Sequence, residues 1–420
     1  MTDKTVQINK LCDGNSGLSE AEKAPGPFSV LSIRDYRFLV ISNLATFAGY
    51  QIRNMGQAWI VLDKTGSEAL MGLVNAMPGI AIISISLIGG ALADRSERWQ
   101  LLWRTKVIIA SMALLTAVLL TTDFLEWWHL VPISLITGTM FALYSPTSQA
   151  YAVDIVGRDR LVAASSLNTG ISTTATILGP TIGGALLVLG FDVVFYVLTG
   201  IYLFSALMIF SVRKRSAPAP SGNMLSEIRD GIVYGYRTPI IRSTLFVSLS
   251  ALAIGVYQPA IPVKVQQELG LGTIGYGTML AMNGIGSLAG AVLLFSFSSR
   301  IRKGRLLIFG LLLFYSSVAL FAISTTFIFA SMAMIMLGFA FSAWMISVPV
   351  LLQTASSENM RGRVMSLYFM TVLTYQLGWL IGGAAIQLWG IQTTLFLGIA
   401  GGVIIAAPTI ILTPELRRAK

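Results

Sequence analysis

Gly89-Gly-Ala-Leu-Ala-Asp94-Arg95-Ser-Glu-Arg98 lies between two apolar runs, each long enough to cross a bilayer. Its small residues let a neighbouring helix come close. Asp94 and Arg98 then offer charge-assisted bonds where the first run ends. The stretch reads as the wet end of a membrane span. The whole chain agrees with that reading. It has 420 residues, 55% of them hydrophobic and 11% charged. Soluble domains carry about 25% charged residues. A mean hydropathy of +0.74 belongs to a polytopic membrane protein.

A span needs about 20 apolar residues, and about twelve runs meet that need. They fall near 38–62, 69–93, 103–122, 129–153, 162–189, 193–211, 241–262, 273–297, 305–324, 327–352, 364–388 and 391–412. The longest polar connection, 213–240, falls midway. It holds Arg213-Lys214-Arg215, a Pro/Ala/Ser linker and an amphipathic piece near 224–236. The expected organisation is a cytoplasmic tail at 1–33, a first six-helix bundle at 34–212, a linker at 213–240, a second bundle at 241–414 and a tail at 415–420. The first tail is polar, contains Pro25-Gly26-Pro27 and lacks the apolar core of a cleaved signal, so disorder is expected there.

Charge sets the orientation. A net charge of +10 could suggest nucleic acid, but the basic residues sit in short clusters between apolar runs, and no nucleic-acid partner is expected. Of the 29 Lys and Arg residues, only Lys64 and Lys264 fall in outer loops and Arg53 inside a span. All others, Lys106 included, are assigned to inner segments. That bias places both termini in the cytoplasm of a multi-pass protein of the cell (inner) membrane. One cysteine, Cys12, excludes an internal disulfide. One histidine, His129, beside Trp127 and Trp128, reads as part of an interfacial belt. Neither supports a metal site, and no cofactor is expected. No cluster of nucleophile, base and metal ligand supports an enzyme.

The two halves resemble each other. Gly72-Leu-Val-Asn-Ala-Met-Pro-Gly79 parallels Gly277-Thr-Met-Leu-Ala-Met-Asn-Gly284. At the same offset Asp63 meets Glu268, and Arg95 meets Arg300. Gly179-Pro180-Thr-Ile-Gly183-Gly184 parallels Gly378-Trp-Leu-Ile-Gly-Gly383. Internal repeats are typical of transporters, with the site near the midplane between them.

The Gly89–Arg98 stretch resembles the signature loop of the major facilitator superfamily, Gly-x-x-x-Asp-Arg/Lys-x-x-Arg, and the likeness extends over nearly all of the chain past Arg34. It implies an all-α membrane protein of twelve transmembrane helices in two six-helix bundles. It also implies a latch on the cytoplasmic side, formed by Asp94, Arg95 and Arg98 with Asp154 as acidic partner. The second-half loop has Ser299 where Asp94 stands, so that copy is degenerate. The Gly179–Gly184 segment is similar to the core of the family's antiporter motif, which makes Gly179 and Pro180 gating candidates. Ala175 and Ser166 replace that motif's upstream glycines. Residues 42–101 look like a bacterial subgroup of siderophore and macrolide exporters, through Gly49, Trp59, Thr65-Gly66-Ser67, Gly72, Pro78 and the Gly-Gly-Ala-Leu-Ala-Asp-Arg run. Some members carry an acid where this chain has Tyr50.

The central site can also be argued from the residues. Arg53 sits in an apolar span with no carboxylate on the same helix nearer than Asp63, about 15 Å along it. A cation there costs from about 2.5 to well over 10 kcal/mol, and such residues face a protein interior or a watery cavity. Asn43, Thr46, Tyr50, Arg53, Asn54 and Gln57 recur at helical steps and should share one inward face. Thr169, Ser172, Thr173 and Thr176 form a second polar stripe. Tyr257 and Gln258 precede Pro259 and Pro262, which should break their helix over a cavity. Asn283, Trp344, Thr371, Thr374, Tyr375 and Gln376 complete the candidate lining. The expected binding set is Tyr50, Arg53, Asn54, Gln57, Tyr257, Gln258, Asn283, Trp344, Tyr375 and Gln376.

The expectation is a secondary active transporter working by alternating access in the lipid bilayer as a monomer. Its cargo is a small organic molecule with an anionic or phenolic group, because a net positive cavity favours anions. Export follows from the resemblance. The alternatives are an uptake symporter or facilitator on the same fold, or a lipid-handling membrane protein.

Overall fold

The computed structural model describes residues 27–95, 97–157, 160–187, 189–214, 232–296, 302–357 and 360–418. Among the described residues there are helices and turns and no strand. Six membrane helices form the first half: α1 (Arg34–Thr65), α2 (Glu68–Arg95), α3 (Arg98–Thr121), α4 (Leu130–Val156), α5 (Leu161–Leu187) and α6 (Phe191–Phe210). The second half repeats the plan. Its α7 is in pieces (Pro239–Ser248, Ala251–Tyr257, Ala260–Val263), followed by α8 (Thr273–Ser296), α9 (Lys303–Ile323), α10 (Phe327–Ala355), α11 (361–389) and α12 (391–412).

Local chemistry sets the ends and breaks. α1 stops where Gly66 takes a left-handed φ of 61° and its N–H returns 2.8 Å to the Leu62 carbonyl. α11 and α12 run together except at Gly390, whose φ of 77° turns the chain back. α7 breaks at Gln258–Pro259, where proline removes a backbone donor as the sequence predicts, and also at Leu249–Ser250, where no proline stands. Past the break, a π-helical turn at Lys264–Glu268 buries Lys264, whose ammonium donates to Glu268 Oε2 at 2.6 Å and to the Ala322 carbonyl at 3.1 Å.

Apolar side chains cover the outside as well as the core. Leu203, Phe204, Leu207 and Phe210 on α6 are exposed, as are Phe309 and Leu312 on α9 and Ile404 and Leu412 on α12. A surface of that kind suits lipid. Eight stretches among the described residues are long and apolar enough to cross a membrane. α1 and α7 are not among them, because α1 carries a polar stripe and α7 is broken. Those two helices carry much of the expected site. His129 caps the turn before α4, its Nδ1 accepting the Glu126 N–H at 3.0 Å, and its ring lies 3.7 Å from that of exposed Trp128.

Packing repeats with the sequence. In the first half α1 packs on α5, α2 on α4 and α3 on α6. In the second half α7 packs on α11, α8 on α10 and α9 on the 361–412 helix pair. Glycines permit the closest approaches. A Cβ at Gly338 would overlap the Asn283 carbonyl and stand 2.7 Å from the Ser287 nitrogen. Gly338→Val should therefore lower the thermal unfolding midpoint in detergent, at a cost of about 1–3 kcal/mol. Gly200→Ala, where nothing lies within 4 Å, should leave the midpoint unchanged or slightly raised.

Candidate functional site

Arg53 lies on α1, about 18 Å from the end at Thr65. It is 3% exposed. Its Nη1 donates to Gln57 Oε1 at 3.1 Å, and its Nη2 to Asn54 Oδ1 at 3.2 Å. Gln57 is fixed in turn. Its amide donates to the Val74 carbonyl on α2 at 3.2 Å, and its Oε1 accepts the Ser134 hydroxyl of α4 at 3.0 Å. The guanidinium carbon stands 5.8 Å from the centre of the Tyr50 ring. Among the described residues no carboxylate bonds to Arg53. The charge faces amides and aromatic rings, and neither lipid nor an acid.

A second buried cation departs from the sequence reading. Lys106 was assigned to an inner segment. It sits eight residues into α3, fully buried. Its ammonium donates to Thr46 Oγ1 at 2.5 Å and to Ser205 Oγ at 2.9 Å, and stands 4.4 Å from the centre of the Tyr144 ring. The hydroxyls are spoken for on their donor side. Thr46 gives its proton to the Ser42 carbonyl at 2.8 Å, and Ser205 gives its own to the same carbonyl at 2.9 Å. Their lone pairs are left for the ammonium, so two acceptors and a π-face take its three donors. Helix α3 starts at Arg98, so the basic cluster of the loop carries one member into the bundle. Nothing in the α3 sequence marks the switch, because the acceptors come from α1 and α6.

The polar stripe on α1 therefore divides. Thr46 holds Lys106, and Asn43 bonds Asn168, Tyr144 and Ser148 inside the first half. Farther along the helix, Tyr50, Arg53, Asn54 and Gln57 stay together. Tyr50 stacks on Phe141 at 4.4 Å, and its hydroxyl accepts the Gln376 amide of α11 at 3.1 Å, across the two halves. Tyr375 is close enough to interact electrostatically with Tyr50, Tyr257 and Tyr276. Tyr257 is buried edge-on against Phe314, and its hydroxyl accepts the Gln258 amide at 3.0 Å. The Tyr50–Gln376 bond crosses the halves, whereas the bonds of Arg53, Asn54 and Gln57 lie within the first half and those of Tyr257 within the second. Asn283 and Trp344 serve the second half's own packing. Asn283 donates to the Met334 carbonyl at 3.2 Å, and Trp344 packs among Phe341 and Tyr368 with its indole N–H unpartnered. Of the latch residues, Arg98 Nη1 reaches both oxygens of Asp154, at 2.7 and 2.8 Å. The side chains of Asp94, Arg95 and Pro180 lie outside the described residues, as do those of Thr169, Thr173, Thr176 and Thr374. Gly179 packs on Gln51 of α1.

The repeat motifs meet each other across the halves, through α2 on α11 and α5 on α8. A Cβ on Gly72 would stand 3.0 Å from Gly383 Cα, and Gly184 and Gly277 lie backbone to backbone. Gly72 and Gly277 are equivalent in the internal repeat, and so are Gly184 and Gly383. Around them Trp59 stacks on Tyr276 at 5.0 Å, Glu68 Oε1 accepts the Gln267 amide at 2.6 Å, and Gln387 Oε1 accepts the Ser67 hydroxyl at 2.9 Å. All these contacts lie toward the α1–α2 turn. That end of the molecule is closed over Arg53 in this conformation.

The family described as transmembrane secretion effector matches residues 25–419. The chain is 25% identical over 373 residues to a staphyloferrin A transporter of Staphylococcus aureus, covering 85% of this chain and 91% of that protein. It is 25% identical over 363 residues to an enterobactin exporter of Salmonella typhimurium, covering 84% and 86%. Among solved structures it is similar to the nucleoside transporter NupG, with a TM-score of 0.69 at 14% identity, covering 90% of this chain and 98% of that one. A bacterial homologue of the human lysosomal transporter Spinster gives a TM-score of 0.67 at 13% identity, covering 91% and 97%. These structural likenesses concern the fold.

Two outcomes test the geometry. Thr46→Ala should destabilise the protein by about 1–3 kcal/mol, because it strips an acceptor from a buried ammonium. In a Lys106→Met background the same change should cost much less, and a double-mutant cycle of thermal unfolding reads the difference. Gly184→Leu should hold the α1–α2 end apart. With Cys12→Ser removing the only native thiol, Asn54→Cys should react with a water-soluble maleimide faster in the Gly184→Leu protein than without it.

Proposed function

Because the chain belongs to the transmembrane secretion effector family of the major facilitator superfamily, we propose that it exports small organic anions by secondary active transport. It is a membrane transporter and not an enzyme. The observation that carries the anion preference is buried Arg53, with no carboxylate bonded to it among the described residues. An interior of that sign attracts negative charge and repels cations, with force enhanced by its low dielectric. Support for export comes from the relative named as an enterobactin exporter, while the staphyloferrin A relative is named only as a transporter; each is 25% identical to this chain. Both point to siderophore-like cargo that offers carboxylate or phenolic oxygens.

In this reading the α1–α2 end faces outside and both termini lie in the cytoplasm, following the basic clusters. The protein works as a monomer in the inner membrane, its bundles spanning 34–212 and 241–414 about a cytoplasmic linker. Cargo enters from the cytoplasm against Tyr50, Arg53, Asn54 and Gln57 on one side and Tyr257, Gln258, Tyr375 and Gln376 on the other. Parting of the Gly72–Gly383 and Gly184–Gly277 contacts then opens the route outward. Asp94, Arg95, Arg98 and Asp154 stabilise the state closed to the cytoplasm, the Arg98–Asp154 pair by bracing α3 on α4 within the first half, with Gly179 and Pro180 letting α5 flex.

Inside-out vesicles should accumulate an anionic aromatic solute when energised, and right-side-out vesicles should not. Arg53→Ala should reduce transport of that anion by about tenfold or more. Its neutral amide, where transported, should lose far less. Equal losses for both would make Arg53 a structural residue.

A further inference from the structure

We propose that Arg53 Nε and the Tyr202 hydroxyl together seat one carboxylate or phenolate oxygen of the cargo, which makes Tyr202 a specificity-determining residue. The inference rests on the anion-export reading and sharpens it.

Tyr202 lies on α6 and is 1% exposed. Its hydroxyl has no hydrogen-bond partner, and neither has Arg53 Nε, although both atoms are buried. Buried polar groups are seldom left so. The two residues are close enough to interact electrostatically, and Tyr50 joins them. Their placement follows from Gly49. A Cβ there would stand 2.9 Å from Tyr202 Cζ and 3.1 Å from its hydroxyl oxygen. The missing side chain is the notch that lets the phenol ring lie on α1. Arg53 follows Gly49 by four residues, one turn farther along the same face.

The chemistry of the pair selects its ligand. Arg53 Nε can only donate, and a phenol beside a guanidinium is best used as a donor too. Two neighbouring donors beside a positive charge call for an oxygen that accepts twice and carries negative charge. A ligand ammonium would add a like charge, and an amide N–H would face donors. Lys106 does not touch the ligand. It lies about two turns away on the far side of Tyr202, beside Ser205, with its own donors taken by Thr46, Ser205 and the Tyr144 ring. Arg53 Nη1 and Nη2 each have one acceptor, which leaves Nε and the Tyr202 hydroxyl as the buried polar atoms of this group with none.

The test uses the purified full chain with salicylate and its neutral amide, salicylamide, as probes. Salicylate should bind the parent protein. Tyr202→Phe, which removes one oxygen atom, should weaken it by about tenfold to a hundredfold. Salicylamide affinity should be the same in both proteins. The unliganded Tyr202→Phe protein should unfold at the same temperature as the parent or higher, since its hydroxyl has no bond to lose. Equal salicylate affinity in parent and Tyr202→Phe would overturn the seat, and so would failure of the parent to bind millimolar salicylate. If Arg53→Ala abolishes salicylate binding while Tyr202→Phe preserves it, the seat fails and anion export stands. If transport shows no charge preference while salicylate binding still depends on Tyr202, export of anions fails and the seat stands.

Discussion

Positive charge held inside a low-dielectric helical bundle, with no carboxylate bonded to it among the described residues, is the constraint around which this protein is built. Isolated charges of that kind are expensive. The first half meets the expense in two ways. Around Lys106 it supplies a complete neutral cage, with hydroxyl lone pairs from α1 and α6 and a tyrosine face from α4. Around Arg53 it supplies amide acceptors for two nitrogens and leaves the third without one. One cation is sealed, and the other keeps a bonding edge. The two are on different helices, Arg53 on α1 and Lys106 on α3, and are linked through Thr46, about two turns before Arg53 on α1.

The same economy of parts governs the opening and closing of the route. The two halves touch through two glycine contacts that are each other's counterparts in the internal repeat. Gly72 meets Gly383, and Gly277 meets Gly184. A pseudo-two-fold relation between halves makes each such contact recur with the roles of the halves exchanged, and only glycine permits backbones at that distance. These contacts are made by packing and a few exposed polar bonds. They bury no ion pair, so they can part at modest cost.

Much of this was legible in the sequence, and the exceptions share a cause. Hydropathy gave twelve spans, and the Gly-Gly-Ala-Leu-Ala-Asp-Arg run gave the superfamily. The repeats gave the glycines that meet, because backbone approach needs a residue without a side chain and leaves a motif behind. Arg53 was legible because a charge within an apolar run stands out. Lys106 was misplaced because it follows Arg98 and Arg104, and counting basic residues cannot tell a loop from the first turns of a helix. Its partners lie about 60 and 100 residues away in sequence and carry no local mark. Tyr202 was invisible as one of 13 tyrosines, and only the notch at Gly49 reveals its part. Asn43 and Thr46 share helical spacing with Arg53, yet they turn into the bundle. Periodicity names the polar face of a helix but not the neighbour that covers it. Asn283 and Trp344 were expected at the site as lining residues of other spans, and the contacts they make lie within the second half.

The most direct measurement is an experimental structure of the protein bound to 4-bromobenzoate, with the bromine located by anomalous scattering. The account predicts the carboxylate against Arg53 and the hydroxyl of Tyr202, with the halogen among Tyr50, Tyr257 and Tyr375. An Asp or Glu side chain from any part of the chain bonded to the Arg53 guanidinium, with the bromine elsewhere, would contradict it.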